Sequence, residues 1–122
     1  NGVPTTICRV QAHFGASWGD DGTIVLSLAP QSGLFRVAAA GGTPEPLPTF
    51  APDDAGNDHR FPVIVPGGRA VIYAVATGPS EEARIVAFDL RTGVRKDLLR
   101  GVASARLAGA EHLAYARSGD LY

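Results

Sequence analysis

Apolar positions along the chain fall in short runs separated by polar, glycine- or proline-bearing stretches. The runs are "TIVLSL" (23–28), "GLFRVAAA" (33–40), "FPVIV" (61–65), "AVIYAV" (70–75), "ARIVAFDL" (83–90) and "EHLAYAR" (111–117). They are β-branched or aromatic, short, and bounded by Gly, Pro, Asp or Ser, which is the pattern of β-strands. No segment sustains the 3.6-residue spacing of an amphipathic helix, and 15 Gly and 9 Pro supply turn chemistry between the runs. The predicted class is all-β.

Three motifs recur in one order. Gly, any residue, Pro or Arg, two residues, then an aliphatic is found as Gly2-Val3-Pro4-Thr5-Thr6-Ile7, Gly42-Thr43-Pro44-Glu45-Pro46-Leu47 and Gly93-Val94-Arg95-Lys96-Asp97-Leu98. A turn followed by an alternating strand is found as Asp21-Gly22-Thr23-Ile24-Val25, as Gly67-Gly68-Arg69-Ala70-Val71-Ile72, and more weakly as Ala110-Glu111-His112-Leu113-Ala114-Tyr115. Leu34-Phe35 recurs as Leu121-Tyr122, with Ile85 to Phe88 as the middle copy. A repeat of about 43 residues carrying four short strands, a to d, predicts the blade of a β-propeller. Pro44, Pro46 and Pro48 then fall on the outermost strand, where a missing N–H is least costly, and Arg95, Lys96 and Asp97 guard the same edge in the next copy.

The segments "GASWGDDGTIVL", "SGLFRVAAAGGTPEPL", "DHRFPVIVPGGRAVIYAV", "EEARIVAFDLRTG" and "HLAYARSGDLY" resemble the TolB-type propeller repeats found in the C-terminal part of many bacterial serine/threonine protein kinases. The resemblance covers nearly the whole chain. It implies a propeller that binds or scaffolds, with no catalytic residue belonging to the repeat itself. The sequence contains no Gly-rich nucleotide loop, and Asp58-His59-Arg60 holds the letters of a kinase catalytic-loop motif in the wrong order.

The predicted strand order is d-abcd-abcd-abc: a d strand over 1–10, full blades over 14–49 and 59–100, and the a, b and c strands of a third blade over 103–122. Closed propellers need four blades or more. An open arc would leave on the order of 400 Å² of apolar surface bare at each end, about 10 kcal/mol of burial forgone per face at 25 cal/mol per Å². The expectation is a homodimer of six blades in which residues 1–10 of one chain complete the third blade of the other. A fragment of a longer propeller is the alternative.

Charge narrows the partners. Eleven Lys and Arg against twelve Asp and Glu leave no basic surplus for nucleic acid or anionic lipid. No apolar run is long enough to span a bilayer, and "NGVPTTICRV" lacks the order of a signal peptide, so a soluble chain is expected with its compartment open. Cys8, the single cysteine, predicts a half-buried inert thiol. Asp20 and Asp21 are read as turn residues rather than cation ligands. His13 and His59 both lie nine residues before a turn glycine, in the d-to-a connections, and with Asp58, Arg60 and Arg106 they form a candidate ligand-binding set at the channel rim. For the histidines, a hydrogen bond holding each loop on its strand is the preferred reading. Trp18 is assigned to blade packing and His112 to the surface. Ser17, His13 and Asp20 are not placed to act as a triad. No cofactor, metal or catalytic residue is predicted. The expected function is a non-catalytic binding or scaffold module for a protein, peptide or small ligand, offered by loops 30–33, 49–60, 77–83 and 100–104. An enzyme or metal-dependent site in the channel is the alternative.

Overall fold

The computed structural model describes residues 3–10, 15–49, 51–54, 57–76, 83–102, 105–109 and 112–122. Eleven strands are found among them, in three antiparallel sheets that follow one another along the chain. The first sheet holds β1 (Ala16–Trp18), β2 (Thr23–Ser27), β3 (Leu34–Ala38) and β4 (Glu45–Pro46) in that order. The second holds β5 (Asp58–Ile64), β6 (Ala70–Ala76), β7 (Arg84–Asp89) and β8 (Arg95–Arg100), again in chain order. The third holds β9 (Ala105–Ala108), β10 (His112–Arg117) and β11 (Asp120–Leu121). A single 3-10 turn, Pro52–Asp54, sits in the connector between β4 and β5. No helix among the described residues is long and apolar enough to cross a membrane.

Turn chemistry explains the meander. Asp20-Asp21-Gly22 closes the β1–β2 hairpin: the Gly22 amide donates to the Gly19 carbonyl at 3.1 Å, and the Asp21 carboxylate accepts the Thr23 amide at 2.9 Å. Both aspartates therefore stand in a turn, and Gly22 takes the positive φ of 81° that the turn requires. Asp89 plays the same part before β8, accepting the Arg91 and Thr92 amides.

Alternation along each strand makes the sheets stack. Val25, Leu34 and Leu47 of the first sheet meet Val71, Tyr73, Val75, Val86 and Phe88 of the second. The opposite face of the second sheet packs Ala74, Ile85 and Val102 against Ala105 and Tyr115 of the third. β1 and β5 lie side by side along one edge of this stack: the Ile64 amide donates to Ser17 Oγ at 2.9 Å, and a Cβ on Gly15 (φ 109°) would lie only 3.0 Å from Phe61 Cα.

Residues 3–10, expected as a strand that completes another copy's sheet, form no strand among the described residues of their own chain; Ile7 and Cys8 lie across the outer face of the first sheet. Two expectations change. Trp18, expected in a packed seam, is 63% exposed, because its face of the first sheet is turned away from the second. Arg95 does not guard an edge but turns inward to an ion pair with Asp54.

Leu34 is fully buried in the first seam. Leu34→Ala is expected to lower stability by about 2–5 kcal/mol, read from the urea midpoint at unchanged slope. Val94→Ala, at a site 63% exposed, is expected to stay within about 0.5 kcal/mol of the parent.

Candidate functional site

The most concentrated polar chemistry lies in the connector joining the first two sheets. Asp54 ends the 3-10 turn; its own amide donates to the Ala51 carbonyl at 2.9 Å and its Oδ2 accepts the Ala51 amide at 3.0 Å. That reciprocal bond folds the carboxylate inward, where it is fully buried. His59 Nε2 approaches Oδ2 at 2.8 Å, Arg84 Nη2 donates to Oδ1 at 2.7 Å, and Arg95 grips both oxygens, with Nη2 on Oδ1 at 2.9 Å and Nη1 on Oδ2.

Thr49 completes the cluster. Its Oγ1 accepts the Leu34 amide at 3.0 Å and lies 3.2 Å from His59 Nδ1, while its carbonyl accepts Arg95 Nη1 at 2.8 Å and the Tyr73 hydroxyl at 3.1 Å. A carboxylate can only accept, so His59 donates from Nε2–H, and its Nδ1 accepts the hydrogen bond of the Thr49 hydroxyl. Tyr73 packs its ring 4.7 Å from the imidazole, centroid to centroid. Each strand of the second sheet thus sends one side chain to the connector: His59 from β5, Tyr73 from β6, Arg84 from β7 and Arg95 from β8.

Burial alone would raise the Asp54 pKa, but hydrogen bonds from Arg95, the Ala51 amide and His59 outweigh it and hold the group at about 2. Burial lowers the His59 pKa; the Asp54 carboxylate opposes this, and the positive charges of Arg95 and Arg84 reinforce it. Burial pushes the Tyr73 hydroxyl upward. At neutral pH the cluster therefore holds an ionised carboxylate, two guanidiniums and a neutral imidazole, with Asp97 3.5 Å from Arg84 on its outer side. Its donors and acceptors face one another, which suits clamping rather than turnover.

The candidate residues separate. His13 lies outside the described residues. His59 is wholly buried with both ring nitrogens engaged, so its geometry is that of the loop-holding hydrogen bond and not of a ligand presented at a rim. Asp58 is nearly buried: Oδ1 accepts the Gln31 amide at 2.7 Å and Oδ2 accepts Arg60 Nη2 at 2.7 Å, tying the β2–β3 loop to β5. Arg60 keeps about a third of its side chain exposed (31%). Arg106 lies on β9 and pairs with Ala114, on the face of the third sheet turned away from the second. Asp58 and Arg60 are therefore together, and Arg106 stands on another sheet. Of the loops expected to offer a surface, 49–60 has Thr49, Asp54 and His59 buried in the seam. His112 begins β10 and is exposed, as expected. Among the described residues no group of three or more His, Cys, Asp or Glu gathers closely enough to hold a metal ion.

Thr49, Asp54, Tyr73, Arg84 and Arg95 escape a reading by motif. One signal could have found them: Arg84 stands inside an apolar alternation and Arg95 replaces a proline of the preceding copy, and a charge in such a setting requires a partner. No family model matches the chain, and no curated protein matches it.

Asp54→Asn leaves two largely shielded guanidiniums facing a neutral amide. It is expected to cost about 3–5 kcal/mol in urea unfolding, and Asp20→Asn less than about 0.5. The lowered His59 pKa sets a second expectation. The unfolded chain binds that proton near pH 6.5 and the folded chain only at lower pH, so the contribution is complete above pH 6.5. It declines below that by up to about 1.4 kcal/mol per pH unit. Asp54 adds a further loss as pH falls from about 4 toward 2. Chemical denaturation between pH 5 and 7 is expected to show a shallower slope in His59→Gln than in the parent.

Proposed function

We propose that the three sheets are consecutive blades of a TolB-type β-propeller, that a second copy closes the ring, and that the assembly is a non-catalytic binding or scaffold module for a protein, peptide or small ligand. The observation that carries this reading is the repeated hand-over between sheets. Leu47, just after β4, enters the seam with the second sheet, and Leu99 of β8 enters the seam with the third. The first strands β1 and β5 meet along one edge, where a channel would run.

The polar groups a catalyst would use have structural partners. Ser17 Oγ receives the Ile64 amide, His59 is sealed in the connector, and Asp21 closes a turn. A binding role is supported by Phe61, which sits at the β5 bulge with φ 53° and 43% exposed, beside the partly exposed Arg60. Holding a bulky residue in the left-handed region costs about 1–3 kcal/mol, and strain of this kind clusters at ligand sites.

Two measurements test the reading. Light scattering of the chain is expected to give twice its 12.7 kDa mass. Clones from a random peptide display library that bind the chain are expected to lose at least tenfold in affinity with Phe61→Asn, which tolerates the same backbone conformation, at unchanged melting temperature. Turnover of a panel of esters, glycosides and lactones by the chain, and not by its heat-denatured form, would overturn the proposal in favour of an enzyme at the channel.

A further inference from the structure

The seam between the first two sheets closes differently at its two ends. At the end where Thr49 meets Leu34, the buried Asp54 carboxylate is gripped by two guanidiniums. At the end where β2 begins, the sheets part around a cavity of about 180 Å³. Its floor is the apolar seam itself: Val25 is buried, while Ile64 and Leu90 pack against the same core and stay only partly buried. Its rim is polar, formed by Asp21 and Thr23 at the β1–β2 turn, Arg36 of β3, and Arg91 in the turn between β7 and β8.

Register explains why these groups share one mouth. Arg36 is the cross-strand partner of Val25, and Thr23 stands two residues before Val25, so all three lie on the face of the first sheet that meets the second. Across the seam, the Asp89 carboxylate accepts the Arg91 amide at 2.8 Å in the turn that leaves β7. That turn sets Leu90 against the core and Arg91 at the rim.

The rim charges are not consumed by one another. Arg36 reaches Glu45 through Nε alone, at 3.4 Å, and its terminal nitrogens have no hydrogen-bond partner among the described residues. The Arg91 guanidinium has none among them either. Asp21 brings the opposite charge. The amide and side chain of Thr23 hydrogen-bond to it and hold its pKa below the usual carboxylate value, so it is ionised at neutral pH. A carboxylate can accept about four hydrogen bonds, so those from Thr23 leave it able to take a ligand's donors.

We infer that this cavity binds a free aliphatic amino acid, with its carboxylate on Arg36 and Arg91, its ammonium on Asp21 and its side chain over Val25, Ile64 and Leu90. Guanidiniums hold carboxylates through paired, charge-assisted hydrogen bonds, which suits the acid end. An apolar floor with a few convergent polar groups is the general form of a small-ligand site. Size sets the class. The cavity has room for roughly six waters at about 30 Å³ each, well below the roughly 300–1,000 Å³ of drug-sized sites, and so suits a single leucine rather than a peptide chain. Beyond Arg36 lies a second cavity, about 320 Å³, whose other charged wall is Glu45. Arg36 and Glu45 are already paired there, so that space does not select an acid. The inferred site lies wholly within the first two sheets and stands whether or not a second copy closes the ring.

Equilibrium dialysis of the chain against radiolabelled leucine is expected to show saturable binding. Three competitors dissect it: isoamylamine lacks the carboxylate, isocaproate lacks the ammonium, and glycine lacks the aliphatic side chain. Each is expected to compete at least about tenfold less well than unlabelled leucine. Arg91→Gln, on an exposed turn, is expected to weaken leucine at least about tenfold at unchanged melting temperature. Lys96→Gln, which removes a positive charge from β8 outside the cavity, is expected to leave binding as it was. Asp21→Asn keeps a residue suited to the turn and is expected to bring leucine and isocaproate to similar affinity. Absence of saturable binding at millimolar leucine overturns the inference, and so does binding that survives Arg36→Gln and Arg91→Gln together. Isocaproate that matches leucine on the parent chain overturns the amino acid as the ligand, and this comparison decides the point should Asp21→Asn not fold.

Discussion

A carboxylate buried without solvent is the constraint around which the first two sheets are arranged. Asp54 could not remain ionised in the seam alone, since an unpaired buried charge costs several kcal/mol. Arg84, Arg95, His59 and the Ala51 amide all converge on it, and each is delivered by a different segment of backbone. Satisfying one acid thus fixes the connector against every strand but β6 of the second sheet, and Tyr73 supplies β6 through the Thr49 carbonyl. Thr49 carries the constraint into the first sheet through the Leu34 amide. A partly formed version would leave buried guanidiniums or a buried carboxylate uncompensated, so the cluster selects one relation between the two sheets.

The second seam is joined in another way, and the connectors explain why. Between β4 and β5 the chain runs from 47 to 57, long enough for a turn that aims a side chain back into the seam; between β8 and β9 it runs only from 101 to 104. The short connector places Val102 in the seam, almost fully buried, where the long one places a charge cluster. Arg117 adds one polar tie, donating to the Arg100 carbonyl at 2.6 Å and lying 5.5 Å from the Tyr115 ring centroid. The first seam therefore gains specificity from polar geometry as well as apolar area, whereas the second depends mainly on apolar packing.

The all-β class and the strand order within both four-stranded sheets were legible because alternation, turn glycines and the repeat all pointed the same way. The six apolar runs became β2, β3, β5, β6, β7 and β10, with ends shifted by a few residues at most. The turn role of Asp21 followed from its dipeptide context. What escaped was non-local. Asp54 stands in "APDDAGNDHR", which reads as a solvated acidic loop, and nothing in its neighbours indicates that arginines 30 and 41 residues away will meet it. The same limit applies to Arg95: position in the repeat put it on an edge strand, but which way an edge side chain turns depends on what the seam contains. His59 stands out in the sequence for its spacing, but its partners lie in the connector itself.

Coverage then sets the order of the stack. β6 and β7 are packed on both faces, and Val71, Tyr73, Val75 and Val86 are almost entirely shielded. The third sheet is packed on one face only, and its strands are at best half buried. The first sheet is intermediate, because residues 3–10 cover part of its free face. Burial contributes in proportion to area removed from water, so the cohesion of each sheet rises with the number of neighbours it has rather than with its own sequence. A stack built this way is most cohesive at its centre and least at its ends, where Trp18 on one side and Leu121 on the other are left in solvent.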